Sequence, residues 1–218
     1  MEINNIGRKW IVKEPGNPAT VRRLAQELGT DPVLANLLVQ RGINTYEEAR
    51  TFFRPDLSML HDPFLMQDME KAVERVRQAV VSSEKVLVYG DYDVDGVMST
   101  TILYQTILRC GGKAVFYVPH RQKEGYGLNL KAVEDLSAEQ ADVLFTCDNG
   151  IAALQEIALA KEKGMTVVVL DHHEPGFTGV DEERRDILPD ADAIIDPKQR
   201  DCKYSFKQMC AGGLSYKF

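Results

Sequence analysis

Three aspartates alternate in Asp91-Tyr92-Asp93-Val94-Asp95-Gly96, directly after the apolar run Val86-Leu87-Val88-Tyr89. Val143-Leu144-Phe145-Thr146-Cys147 runs into Asp148, and Val167-Val168-Val169-Leu170 runs into Asp171-His172-His173. Three times a short run of β-branched or aromatic residues stops, and hard oxygen or imidazole donors begin. Carboxylates joined by one or two imidazoles suit Mn²⁺ or Mg²⁺, whereas thiolate sets suit zinc. Two such ions held by shared carboxylates serve phosphoester hydrolysis: one activates water, and both offset charge that develops on phosphate oxygens. In this pattern Asp148 could reach between two ions, His172 supplies nitrogen, and Asp171 could orient an imidazole from behind.

Two plainer readings compete. Asp-x-Asp-x-Asp-Gly also opens an EF-hand loop, which needs a bidentate Glu at its twelfth position. Counted from Asp91 that position is Ile102, and the motif follows a strand rather than a helix. A solvated acidic turn is the other reading, since Asp and Gly favour turns. Three alternating carboxylates repel one another, and a cation offsets that cost best. A lone histidine is more often structural than a ligand, and His61 and His120, away from ligand-rich strand ends, are read as structural. Arg121 and Lys123 lie in a glycine-containing loop with Glu124-Gly125-Tyr126-Gly127, where a guanidinium fork suits phosphate and glycine lets backbone approach a ligand. A solvated loop explains the same composition. Asp196 and Asp201 are left as turn aspartates.

Short apolar runs bounded by turn signals read as buried strands of a parallel sheet. The elements expected after residue 85 are strands Val86–Tyr89, Ala114–Val118, Val143–Cys147, Thr166–Leu170 and Ala193–Ile195. Helices fall between them, from about Gly96 to Cys110, over Leu130–Leu136 and over Ile151–Lys163. Alternation of this kind predicts an α/β fold with a doubly wound, mainly parallel sheet, whose ligands collect at the carboxyl ends of the strands. Residues 1–85 lack strong strand signals and read as a small helical leader. Its helices are expected over Val21–Leu28 with Thr20 as cap, from Asp31-Pro32 to Gln40, after the capping box Thr45–Glu48, and over Gln67–Val81. Thr178–Asp190 reads as a charged surface loop.

The chain has 218 residues, 44% of them hydrophobic, enough to bury a core. Lys and Arg balance Asp and Glu through residue 85, so the whole net charge of −7 lies in the part that carries the motifs. That acidity argues against a general basic nucleic-acid surface, but not against a phosphodiester held through metals. No stretch approaches the ~20 apolar residues of a membrane span. The first residues lack a signal-peptide pattern. Four scattered cysteines read as reduced thiols. Together these features fit a cytoplasmic protein.

Tyr89-Gly90-Asp91-Tyr92-Asp93-Val94-Asp95-Gly96, Asp148-Asn149-Gly150 and Asp171-His172-His173 resemble the first three motifs of the DHH phosphoesterases. With Glu124-Gly125-Tyr126-Gly127-Leu128, and with Asp201-Cys202 and Ala211-Gly212-Gly213, they are similar to the RecJ branch of that superfamily, single-strand-specific 5′→3′ DNA exonucleases. The resemblance implies Asp93, Asp95, Asp148 and His172 as ligands of two Mn²⁺ or Mg²⁺ ions, with Asp148 bridging. It implies catalytic roles for Asp91, Asp171 and His173, the last at the scissile phosphate or in the metal shell. Arg121, Gly125 and Tyr126 would hold substrate phosphate. Single-stranded DNA is the implied substrate, with a single-strand-binding protein and a repair helicase as partners. The family's fourth motif, whose Asp is a further ligand, has no match after His173. The chain therefore reads as an N-terminal fragment, 86–218 being an incomplete DHH domain, expected to be weakly active or inactive alone. A DHH phosphodiesterase for short oligonucleotides or cyclic dinucleotides, a manganese pyrophosphatase and a non-catalytic scaffold are the alternatives.

Overall fold

The computed structural model describes residues 11–137, 140–180 and 183–218, which fall into two compact units divided between Leu60 and His61. In the first, helices α1 (Pro18–Leu28), α2 (Pro32–Val39) and α3 (Tyr46–Phe53) pack around Leu24, Ala25, Ala35 and Leu38. The cap of α1 is Asn17 rather than Thr20. The Asn17 side chain accepts from the amides of Ala19 and Thr20, and Pro18 takes the first helical position, where its missing N–H costs nothing. The Thr45–Glu48 capping box opens α3 as expected, each side chain accepting the other residue's amide.

The second unit runs from His61 to Phe218. Helix α4 (Met69–Val81), placed by the sequence in the leader, buries Met69, Ala72, Val76 and Ala79 in the core that includes Val86, Val143 and Ala193. Its apolar stripe is satisfied by the sheet, which local periodicity could not show.

Strands β1 (Lys85–Tyr89), β2 (Lys113–Tyr117), β3 (Val143–Cys147), β4 (Thr166–Leu170) and β7 (Ala193–Ile195) form one parallel sheet in the order β2-β1-β3-β4-β7. Side chains alternate across it. Val86 and Val88 face the core shared with α4, α5 (Val94–Arg109) and α8 (Ala211–Lys217). Leu87 and Tyr89 face α6 (Leu130–Ser137) and α7 (Leu154–Glu162). Covering both faces explains why the strands read as continuous apolar runs. The chain leaves β1 toward β2, then crosses back to β3 on the other side of β1. Crossovers therefore diverge between β1 and β3, and a crevice opens beyond their carboxyl ends.

Thr178–Asp190 is not a plain loop. Gly176–Thr178 (β5) pairs antiparallel with Arg185–Ile187 (β6), and the Arg184 guanidinium lies 4.1 Å from the centre of the Phe177 ring. Asp181 and Glu182 of that charge run lie outside the described residues.

Candidate metal centre

Every strand bordering the crevice and its far side ends in an aspartate. Asp148 follows β3, Asp171 follows β4, Asp196 follows β7, and the Asp91–Asp95 segment follows β1. That segment is not an extended ladder. Asp93 caps α5, its Oδ1 accepting from the Gly96 amide at 3.1 Å, and Asp95 lies in the helix's first turn. The tight entry requires glycine, because a Cβ on Gly96 would stand 2.6 Å from both the Cβ and the carbonyl oxygen of Asp91. Asp148 adopts a left-handed backbone, φ +63°, a conformation that costs a non-glycine residue energy and concentrates at functional sites.

The structure brings five of the predicted residues together as two groups, with Asp95 and Asp171 standing beside them. Ligand atoms of Asp91, Asp93 and Asp148 lie within 4.8 Å of one another, as do those of Asp148, His172 and His173. Asp148 belongs to both. Its Oδ1 is 3.0 Å from His172 Nε2, and Asp95 Oδ2 is 3.5 Å from the same nitrogen. Asp95 also accepts the amides of Ala211 and Gly212 at 2.8 Å each, contacts with residues that the sequence offered only as a resemblance. Asp171 serves the histidines. Its Oδ1 accepts from the His172 amide at 2.7 Å and lies 2.7 Å from His173 Nδ1, while Oδ2 accepts from the Ile151 amide at 2.9 Å.

Charge follows from this packing. Burial, reinforced by Asp95 and Asp93, pushes the Asp148 carboxyl up to about 7. Burial also raises Asp91, whose Oδ1 is shut off from solvent with no hydrogen-bond partner. Burial works against Asp171 too, but the His173 imidazole and the amides of Ile151 and His172 hold its carboxyl below the usual range. His173, bonded to that carboxylate, is raised; His172 is lowered by burial and by His173 beside it. Crowded oxygens that resist ionisation, an orphaned buried carboxylate oxygen and a mostly neutral imidazole fit divalent cations. The donor set is that of Mn²⁺ or Mg²⁺, and the shared Asp148 suits two of them.

Of the expected phosphate contacts, Tyr126 comes closest. Its hydroxyl lies 3.1 Å from His173 Nε2, and its ring meets Tyr92 edge-on at 6.4 Å. The Arg121 guanidinium stands over the Tyr92 ring, 5.3 Å from its centre. Gly125 turns the loop with φ +82° and makes none of these contacts. His61 packs edge-on against Tyr204, and His120 accepts the Gln122 amide; neither joins the centre. Asp196 is fully buried, with Oδ1 accepting the Lys198 amide at 2.7 Å and Oδ2 without a partner. Burial pushes its carboxyl up to about 8.

Residues 85–218 match the family model described as the DHH family, N-terminal domain. Over 209 residues the chain is 39% identical to the single-stranded-DNA-specific exonuclease RecJ of Bacillus subtilis, covering 96% of this chain and 25% of that protein. Over 186 residues it is 32% identical to RecJ of Escherichia coli, covering 85% and 30%. The chain thus spans less than a third of the length of these relatives. Among solved structures, exonuclease RecJ bound to manganese aligns with a TM-score of 0.61 at 26% identity, covering 70% of this chain and 36% of that one. The Mn²⁺ complex of RecJ from Thermus thermophilus shares the fold, with a TM-score of 0.69 at 23% identity over 94% and 27%. The family match takes in all five strands of the parallel sheet and the acidic turns that follow β1, β3 and β4, and the chain belongs to the DHH family.

Proposed function

We propose that this chain is the catalytic N-terminal part of a manganese- or magnesium-dependent exonuclease that hydrolyses single-stranded DNA from the 5′ end. The observation that carries the reading is Asp148, common to two ligand groups at the β1–β3 crevice. Asp93, Asp95, Asp148 and His172 would hold the ions. Bound there, divalent ions supply positive charge for phosphate oxygens and acidify water. The protein's own groups do the rest. Asp171 fixes His173 through Nδ1. The half-exposed, raised imidazole can then face a phosphate oxygen with positive charge or hand a proton to it. Asp91, buried beside Asp93 and Asp148, adds a carboxylate oxygen with no other partner. Arg121, Gly125 and Tyr126 would receive the 5′ phosphate and the first nucleotide, with the exposed Tyr126 ring a surface for a base. A cytoplasmic location, a single-strand-binding protein and a repair helicase belong to the same reading and rest on the resemblance to RecJ.

Grafted in place of the matching quarter of the B. subtilis exonuclease, this chain should support Mn²⁺-dependent release of 5′ mononucleotides from long single strands. Asp148→Asn in the graft should abolish that release. A folded, Mn²⁺-binding graft that cleaves dinucleotides and spares long strands would move the assignment to the small-substrate DHH phosphodiesterases.

A further inference from the structure

Asp95 is held from across the chain. The Ala211 amide donates to its Oδ2 and the Gly212 amide to its Oδ1, each at 2.8 Å and more than 110 residues away in sequence. A carboxylate offers about four lone-pair positions. Two are taken by these amides, and Oδ2 still stands 3.5 Å from His172 Nε2. The carboxylate is thus locked in rotation while keeping acceptor capacity on the side of the centre.

Gly212 leaves that grip unstrained. A Cβ there would lie 3.3 Å from Asp95 Oδ1 and 3.9 Å from the Cβ of Met98. Its backbone lies outside the left-handed region, so no turn demands glycine. Within a helix glycine costs about 1 kcal/mol relative to alanine. What it provides at 212 is room for the carboxylate. The next residue is different: a Cβ on Gly213 would come 2.9 Å from Met209 Cγ, a crowding that falls on Met209 and Cys210 and not on Asp95. The amides are rigidly placed, because Ala211 and Leu214 are fully buried and the Phe218 ring packs on Phe145 at 5.0 Å.

We infer that the Ala211 and Gly212 amides seat Asp95 as a metal ligand, which makes Gly212 a positioning residue of the centre. The inference rests on the proposed metal-dependent function. Helix α8 brings no side-chain ligand, yet metal affinity depends on where it docks. If Asp95 only capped α8, a side chain at 212 would change stability and leave metal uptake alone.

The test compares the chain with Gly212→Ala, Gly212→Val and Gly213→Ala. Mn²⁺ uptake is followed by electron paramagnetic resonance, and thermal melting is recorded in EDTA. Gly212→Ala should melt no lower than the parent and bind Mn²⁺ more weakly. Gly212→Val should lose roughly 10- to 100-fold in affinity, the usual effect of disturbing the groups behind a ligand. Gly213→Ala should bind as the parent does. Parent-like affinity in folded Gly212→Val overturns the inference; if that variant does not fold, parent-like affinity in Gly212→Ala does so. A parent chain that takes up no Mn²⁺ overturns the metal-centre reading itself, a result visible before any variant is compared.

Discussion

Asp148→Asn should make the metal-free protein more stable while removing its response to metal. Asp148 is 2% exposed and crowded by carboxylates, and its pKa is pushed up from 3.8 to about 7. An acid whose folded pKa is raised binds its proton more tightly when folded. Its favourable contribution is complete below the unfolded pKa and is lost as pH rises through the folded one. The gap of about 3 units, at 1.36 kcal/mol each, amounts to a penalty of about 4 kcal/mol at pH 8. Asparagine never ionises and avoids it. Weakening the contact with His172 Nε2 returns about 1 kcal/mol. The variant should therefore be roughly 2–3 kcal/mol more stable than the parent at pH 8 in EDTA, and the two should converge near pH 4. Urea unfolding at both pH values measures this. Addition of Mn²⁺ should raise the parent's midpoint by mass action and leave the variant's unchanged. An Asp148→Asn protein less stable than the parent at pH 8 without metal would refute the reasoning, because it would mean the carboxylate is not electrostatically strained.

Asp196, pushed up to about 8, should behave similarly away from the ligands: Asp196→Asn should gain on the parent by about 1.4 kcal/mol per pH unit between pH 5 and 8 in EDTA. Parallel pH profiles of unfolding would contradict that. Gly96→Ala forces a Cβ to 2.6 Å from Asp91, so it should cost about 1–3 kcal/mol and weaken Mn²⁺ uptake, checked by melting and metal titration. Arg121→Ala removes an exposed side chain and should leave melting and Mn²⁺ uptake unchanged. In the grafted exonuclease it should raise KM for 5′-phosphorylated single strands roughly 10- to 100-fold, as expected for one charge-assisted hydrogen bond.

Much of this was legible along the chain because the signals are local. Val143–Cys147 and Thr166–Leu170 were bounded to the residue, since a strand covered on both faces is written as an unbroken apolar run that stops at its first polar ligand. The α2 and α3 starts were equally plain, with Asp31 and Thr45 as caps. The sequence is silent where distant parts decide. Helix α5 starts at Val94, before the glycine expected to begin it, because Asp93 turns inward as its cap. Helix α4 looked like leader until the sheet gave its stripe a partner. The β5–β6 hairpin was hidden by charge, its aromatic residue being covered by Arg184. The predicted ligands were visible as strand-end aspartates and a histidine pair. The seat of Asp95 was not, because a backbone amide leaves no mark in residue type.

The central claim is that Asp148 joins two metal positions. Anomalous diffraction from crystals soaked in Mn²⁺ tests it directly. The account predicts two peaks about 4 Å apart, both touching Asp148, one on the Asp93 side and one on the His172 side. Peaks that bypass Asp148, or a well-ordered crevice with no peak after soaking, would contradict it.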